Sequence, residues 1–445
     1  MWDTFVSIVG VLLTITLIVG IHEYGHFITA RLLGVRVLRF SIGFGKTLLR
    51  YQGKKGTEYV LAAIPLGGYV KMLDETEGDV PADQVQFAFN RQPLYKKTLI
   101  VLAGPLFNFI FAFLLYWIVF IVGFNAITPI IGKVAPDSIA SLAGLKPEEE
   151  ILQIENKATS TWSDIVIHIL TYFGDDKQIS LQTITPDKHI KNYMLNLNHW
   201  QMDALRPDPL TSLGITPYEP EIPAVIKTIM PDTPAANSTL KVGDKILVIQ
   251  GKEIKDWFEA ITLISQHPDQ LIQMKISRAG KKENIAVQLG SKEGHGFLGI
   301  SPDVVWPKNL IRRIQYDPLQ AIWHAKDSTI DFTLLNFIFF QKMLTGKVSV
   351  QSLGGPITIF ESAGSALNVG ILPFFTFLAF LSIAIGAINL LPIPGLDGGH
   401  LLFYLIEVII RRPLTVRWQL LLIRIGFIVL ILLMIQALVN DILRL

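Results

Sequence analysis

Residues 5–33 read FVSIVGVLLTITLIVGIHEYGHFITARLL, and the fold follows from how that stretch begins and how it ends. From Phe5 to Ile21 there is no charged residue. Spanning a bilayer takes about 20 mostly apolar residues in a helix, so the helix continues through His22-Glu23-Tyr24-Gly25-His26 to about Leu33. Positions i and i+4 share a helix face. His22 and His26 therefore present two imidazoles side by side, with Glu23 between them in sequence. Two such imidazoles can bind one Zn²⁺ while the intervening Glu acts as general base. An ionisable side chain at the centre of a span costs about 2.5–3.5 kcal/mol or more. Three polar groups in this place are kept for chemistry, because there is no water there for them to face. The first residues lack a basic stretch and a small-residue cleavage site, so the segment reads as a retained span and not as a signal peptide.

Working outward, half of the 445 residues are hydrophobic and 17% are charged, against about 25% in soluble domains. Three further spans follow: Thr98–Phe124, a stretch within Ser362–Leu396 from Ile371 onward, and Trp418–Asn440, where Arg424 is close enough to one end to snorkel. The chain is read as a polytopic α-helical membrane protein with four spans. Lys and Arg total 39 against 37 Asp and Glu. That balance leaves no clustered basic excess, which excludes a nucleic-acid partner. With no cysteine there is no disulfide framework, no thiolate zinc site and no cysteine nucleophile. A metal here is held by His and carboxylates.

Loop charge sets the orientation. Lys and Arg recur from Arg31 to Lys97, Lys54 and Lys55 among them, and Arg411, Arg412 and Arg417 lie between the third and fourth spans. Both loops are expected on the cytoplasmic side of the membrane, and both termini and the outer loop on the far side. The resulting map is 1–34 first span, 35–97 cytoplasmic or membrane-associated β-hairpin region, 98–124 second span, 125–218 and 219–307 two outer domains, 308–370 an amphipathic surface helix and linker, 371–400 third span, 401–417 cytoplasmic link and 418–445 fourth span.

The two outer domains are an internal repeat. Pro136-Asp137-Ser138-Ile139-Ala140 realigns with Pro231-Asp232-Thr233-Pro234-Ala235, an offset of 95, and Ile151-Leu152-Gln153-Ile154 falls on Ile246-Leu247-Val248-Ile249. Leu213-Gly214-Ile215 recurs later as Leu298-Gly299-Ile300. Short β-branched runs between Gly, Pro, Asp and Asn read as small mixed β/α domains. Lys241–Gly251, with the P-x-[ST]-x-A turn before it, resembles the PDZ pattern. The first copy departs from it, with Glu148-Glu149 in place of Gly243-Asp244. PDZ domains bind extended peptides by strand addition. The resemblance makes Gly214, Ile215, Gly299 and Ile300 candidate peptide-binding positions, with ordinary structural turns as the alternative.

Zinc in a hydrolytic site takes three protein ligands and leaves a position for water. Asn389-Leu-Leu-Pro-Ile-Pro-Gly-Leu-Asp397-Gly-Gly-His400 closes the third span, and Pro392, Pro394 and Gly395 break its helix. Irregular backbone at membrane depth is tolerated only inside protein or beside a water-filled cavity, so Asp397 faces a polar pocket. His400 is the rival ligand. A carboxylate completes the usual His₂-carboxylate set, and Asp397 is the expected third ligand.

HEYGH in the first span with NLLPIPGLDGGH in the third resembles the site-2 protease family of intramembrane zinc proteases, in particular its bacterial members with tandem PDZ-like domains. Ala103-Gly104-Pro105-Leu106-Phe107-Asn108 and Leu353-Gly354-Gly355-Pro356 are further matches. The resemblance covers essentially the whole chain. It implies that His22, His26 and Asp397 bind Zn²⁺, that Glu23 activates water and that Asn389 touches substrate. It also implies a multi-pass protein of a bacterial inner (plasma) membrane, with the PDZ-like domains and both termini periplasmic and the active site toward the cytoplasm. The substrates it implies are membrane-spanning proteins: an anti-sigma factor already trimmed outside, and remnant signal peptides. The alternative is a non-catalytic membrane scaffold binding peptides through the PDZ-like pair, which has no need of Glu23.

A helical substrate must unwind to be cut, and loose backbone in lipid is costly. Val35–Phe40 and Glu58–Ile64 read as short strands, with Gly43, Gly45, Gly67 and Gly68 as turns. Such a membrane-associated β-sheet could hold an extended substrate by strand addition, or it is an ordinary cytoplasmic hairpin. The stretch from Lys308 to Lys347 suits a helix on the outer membrane surface.

Overall fold

The computed structural model describes residues 2–54, 56–76, 78–220, 222–292, 294–302, 307, 310–412 and 414–444. Lys55 and Lys308 lie outside them. Two compact units form, one from Met1–Thr216 with Arg313–Leu445 and the other from Pro217–Arg312.

In the first unit, four helices among the described residues are long and apolar enough to cross a membrane: Phe5–Leu32, Leu94–Val122, Ile371–Asn389 and Arg417–Arg444. Ile18, Ala112, Leu115, Tyr116, Leu378 and Ile383 belong to the buried cluster that joins the first three. Close approach is made possible by small residues. A Cβ on Gly25 would meet the Ala103 carbonyl oxygen at 2.4 Å, so the N-terminal helix and the Leu94–Val122 helix touch backbone to backbone.

The third span ends sooner than its apolar run suggests. Its helix stops at Asn389, and a new helix runs from Asp397 to Ile410. Residues 397–400 thus belong to a separate helix, and most of the expected link 401–417 is helical. Pro392 and Pro394 have no N–H to give a helix, and Gly395 takes φ +105°.

The hairpin region is also more ordered than the sequence implies. Two long strands, Val37–Gln52 and Glu58–Met72, form it. Gly43, Gly45, Gly67 and Gly68 lie inside these strands and not in turns between them. Gly43, Gly45 and Gly67 have positive φ, at +90°, +83° and +152°, which allows the shifts in register that fold the strands back. Phe40 pairs with both Val70 and Tyr59, while Tyr51 pairs with Tyr59. The segments therefore lie in the order 47–52, 58–62, 39–42, 68–72, with Gly68–Met72 last.

Residues 308–370 hold two helices, Pro318–Leu344 and Pro356–Val369. The first is not simply laid on a membrane surface. Its Ala321 and Ala325 are fully buried, and Phe332 meets Tyr116 and Phe380 of the second and third spans at ring centroids 6.0 and 5.4 Å apart. Lys342 near its end donates to the carbonyls of Thr171 and Phe173 and to Asp175. Burial pushes the Lys342 ammonium below its usual pKa, against the pull of Asp175.

The repeat of offset 95 is visible in three dimensions. In each copy a four-stranded antiparallel sheet has the same order: 157–158, 150–154, 178–184, 190–196 in the first and 252–253, 245–249, 271–278, 281–288 in the second. Each carries one helix, Trp162–Leu170 or Trp257–Ser265, with an N-cap side chain from Thr161 or Asp256. The departure at Glu148-Glu149 leaves the turn unchanged. Glu148 adopts φ +69° where Gly243 has +91°, and their amides donate to Ile131 and Ile226, again 95 apart.

Candidate metal centre

The N-terminal helix sets His22 and His26 one turn apart, with ring centroids separated by 4.9 Å and nearly perpendicular planes. Their Nε2 atoms are 3.2 Å apart. Asp397 reaches them from the first residue of the Asp397–Ile410 helix. Its Oδ2 lies 3.1 Å from His22 Nε2 and 3.4 Å from His26 Nε2, and none of the three side chains is more than 17% exposed. Among the described residues, these three form the cluster of His and acidic groups that could hold a metal ion.

The loop before Asp397 is folded tightly on its own helix. A Cβ on Gly398 would lie 2.2 Å from the Leu391 carbonyl oxygen, and one on Gly399 2.4 Å from that of Ile393. Any side chain at either position would lift the loop, which explains why two glycines follow Asp397.

Hydrogen bonding orients the imidazoles. His26 Nδ1 donates to the Ile100 carbonyl at 2.8 Å, which leaves Nε2 as an acceptor. Asn108 is fully buried, and its amide lies 3.4 Å from His22 Nδ1. Its backbone carbonyl accepts from Ser382. Gly104 stands opposite the two rings: a Cβ there would sit 2.3 Å from His26 Nε2 and 2.9 Å from His22 Cε1. Any larger residue would fill the space between the imidazoles.

The donor set fits a cation. Lone pairs converge on one point, and Asp397 Oδ2 is buried with no hydrogen-bond donor. Neutral imidazole nitrogens and a carboxylate repel one another unless a positive charge sits among them. Two imidazoles and one carboxylate match the ligand types of a hydrolytic zinc site.

The other expected site residues are distributed as follows. Glu23 shares the helix with the histidines, and a Cβ on Gly68 would meet its Cγ at 2.9 Å, so the hairpin reaches the acid. Gly67 lies against the Phe44 ring, and Gly43 against the Ile64 and Ala62 carbonyls. Asn389 is the last residue of its helix, and His400 is exposed. Ile215 and Ile300 are core side chains of their domains, while Gly214 and Gly299 take φ +84° and +82°. Reading the sequence assigned no role to Gly104 or Asn108, though both stood in the motif singled out there. Their contacts with the histidines depend on how two distant helices cross.

The profile of peptidase family M50 matches residues 10–433. The RseP regulator of sigma-E protease of Escherichia coli K12 is 39% identical over 453 residues, covering all of this chain and 99% of that one. A putative zinc metalloprotease of Vibrio cholerae serotype O1 is 38% identical over 458 residues and covers both chains fully. Among solved structures, the PDZ domain of an SdrC-like protein from Listeria innocua aligns at 25% identity over 19% of this chain and 97% of that one, with a TM-score of 0.18.

Proposed function

Because the chain belongs to peptidase family M50 and is a zinc metalloprotease of the regulated intramembrane kind, we propose that His22, His26 and Asp397 hold its Zn²⁺ and that Glu23 is its general base. The observation that carries this reading is the meeting of three electron-pair donors around Asp397 Oδ2, which has no hydrogen-bond donor of its own. Bound there, Zn²⁺ polarises a scissile carbonyl and makes a water more acidic. Glu23 accepts the proton of the attacking water and later gives it to the leaving amine. Ile100 and Asn108 hold the two imidazoles by their Nδ1 atoms, fixing which nitrogen faces the metal. With His22 ligating through Nε2, its Nδ1 carries a proton, so Asn108 would accept it with its amide turned over, exchanging the Nδ2 that now faces the ring for the unpartnered Oδ1.

The substrate is a transmembrane segment of a single-span membrane protein, a trimmed anti-sigma factor or a remnant signal peptide. Such a segment has to leave its helix to expose a carbonyl. Its backbone then needs partners, because unpaired amides in lipid cost several kcal/mol each, on the order of a lost hydrogen bond or more. Gly68–Val70, last in its sheet and beside Glu23, is the edge on which an extended segment would add as a further strand. This favours Gly67 and Gly68 over Gly43 and Gly45 as positions beside substrate, since the latter pair packs within the sheet. Asn389 lies eight residues before Asp397, on the other side of the Pro392–Gly395 break, and it is taken as a further substrate contact.

The two outer domains are read as PDZ-like and periplasmic, on the basis of their sequence pattern, shared topology and the basic cytoplasmic loops. Since Ile215 and Ile300 are buried in the cores, any peptide binding there would use backbone and not those side chains.

The test uses purified protein in nanodiscs and a model single-span peptide. Stripping the metal with a chelator should abolish cleavage, and Zn²⁺ should restore it. Cleavage that persists in metal-free protein would overturn the reading.

A further inference from the structure

We propose that Gly426, in the C-terminal span, is a positioning residue for Asp397; the inference rests on the reading of Asp397 as a zinc ligand. The helix Val416–Arg444 is largely exposed to its surroundings, and its contact with the rest of the protein is a narrow stripe. Gly426, Ala437 and Asn440 are buried, with Leu430 and Leu433 half-buried between them. These positions recur at helical spacing on one face.

At Gly426 that face meets backbone. A Cβ there would lie 1.7 Å from the Pro394 carbonyl oxygen, 2.6 Å from its carbonyl carbon and 3.1 Å from its Cα. No side chain on the other side can move aside. The next residue, Gly395, continues the contact: a Cβ on it would be 4.0 Å from the Ile423 oxygen and from Leu430 Cδ1. Pro394 is three residues before Asp397.

This segment needs outside support. Pro392 and Pro394 have no N–H to donate, so a hydrogen-bonded ladder cannot hold it. Gly398 and Gly399 press it against its own helix from one side, and Gly426 closes the other. The span that carries Gly426 is itself fixed at its far end. Asp441 accepts hydrogen bonds from the amides of Gly355, Ile357 and Thr358, and Asn440 donates to the carbonyls of Val350 and Leu353. That anchor sets the rotation of the helix, so the glycine face is presented to the Pro394 loop.

An added methyl group at 426 must open the contact by more than about 1 Å, because real Cβ atoms do not come within 3.0 Å of such an oxygen. A misplacement of about 1 Å in a catalytic constellation costs about 10²-fold in rate. Moving the loop moves Asp397 away from the two imidazoles.

The experiment compares wild type, Gly426→Ala, Phe427→Ala and Asp397→Ala as full-length protein in nanodiscs. Zinc affinity is measured by competition with a chelator, the Co²⁺-substituted protein by its visible absorption, and the fold by far-UV circular dichroism. Gly426→Ala should weaken zinc binding by about 10- to 100-fold, the range for groups that orient metal ligands, and alter the Co²⁺ spectrum with the helix content intact. Phe427→Ala, on the exposed side of the same turn, should match wild type. Should Gly426→Ala not fold, Leu430→Ala removes the side chain facing Gly395 without a clash, and severalfold weaker zinc binding is expected. Wild-type zinc affinity and Co²⁺ spectrum in Gly426→Ala, or unchanged affinity in Leu430→Ala in its place, would overturn the proposal while Asp397→Ala loses zinc. Zinc retained by Asp397→Ala would instead overturn the ligand assignment and the proposal with it.

Discussion

Two glycines and one asparagine decide whether the histidines can work as a pair. Gly25 lets the second span approach the first, and Gly104 leaves the space between the imidazoles open. Asn108 faces His22 Nδ1 from full burial. Asn108→Leu, of similar size, should therefore weaken zinc binding by about 10-fold or more, as loss of a group that orients a metal ligand does. Asn108→Asp, which keeps an acceptor, should restore most of it; chelator competition measures both. The exposed His400 serves as the contrast: His400→Ala should leave zinc content near that of wild type. The histidines and Glu23 were legible because a helix turns its own sequence spacing into geometry. Asp397 was legible because two prolines mark a break at membrane depth. Gly104, Asn108 and Gly426 were not, since a close crossing between segments far apart in sequence leaves no local pattern.

Elements repeat more faithfully than their residues do. Glu149 and Asp244, 95 apart, are both buried carboxylates, yet one is held by Thr183, Lys191 and Tyr193 and the other by Arg278. Burial alone would raise the Asp244 pKa, but hydrogen bonds from Arg278 and the Lys241 amide bring it below the usual carboxylate value. A carboxyl whose pKa is depressed by folding contributes stability that is present above its unfolded pKa, about 3.9, and lost as pH falls through the folded value. The melting temperature of the Pro217–Arg312 unit should thus fall on acidification below about pH 4. Arg278→Met removes the main interaction that depresses this pKa, so it should lower the melting temperature at neutral pH and shrink the acid-dependent loss, which calorimetry across a pH series reads directly. The offset of 95 was visible in the sequence, whereas the turn at Glu148 was not, because a glutamate gives no sign that it will take a left-handed conformation. The hairpin glycines were misplaced for a related reason. Glycine marks a special backbone angle, and an irregular strand needs one as often as a turn does.

Across the whole molecule, the outer domains differ in what they are tied to. Val348 and Phe339 from the linker pack in the first domain's core cluster, and Lys342 is held by its carbonyls. Excising that domain would strand a buried ammonium. Pro217–Arg312 has its own core, including Ile246, Trp257, Ile272 and Ile276, and can be removed by joining Thr216 to Arg313 through a flexible splice. If the outer domains act as a size filter, the shortened protein should keep its zinc and its cleavage of trimmed substrate. It should also cut substrate with a folded outer part several times faster than wild type does, read by gel in a reconstituted assay. The account as a whole stands on the division of labour between Glu23 and Asp397. Zinc content and cleavage of a model transmembrane peptide, measured side by side for Glu23→Gln and Asp397→Ala, test it most directly. Glu23→Gln should retain near-wild-type zinc with cleavage lowered by at least about 10²-fold, the lower end for loss of a general base, and Asp397→Ala should lose both. Full cleavage by Glu23→Gln, or full zinc occupancy in Asp397→Ala, would contradict it.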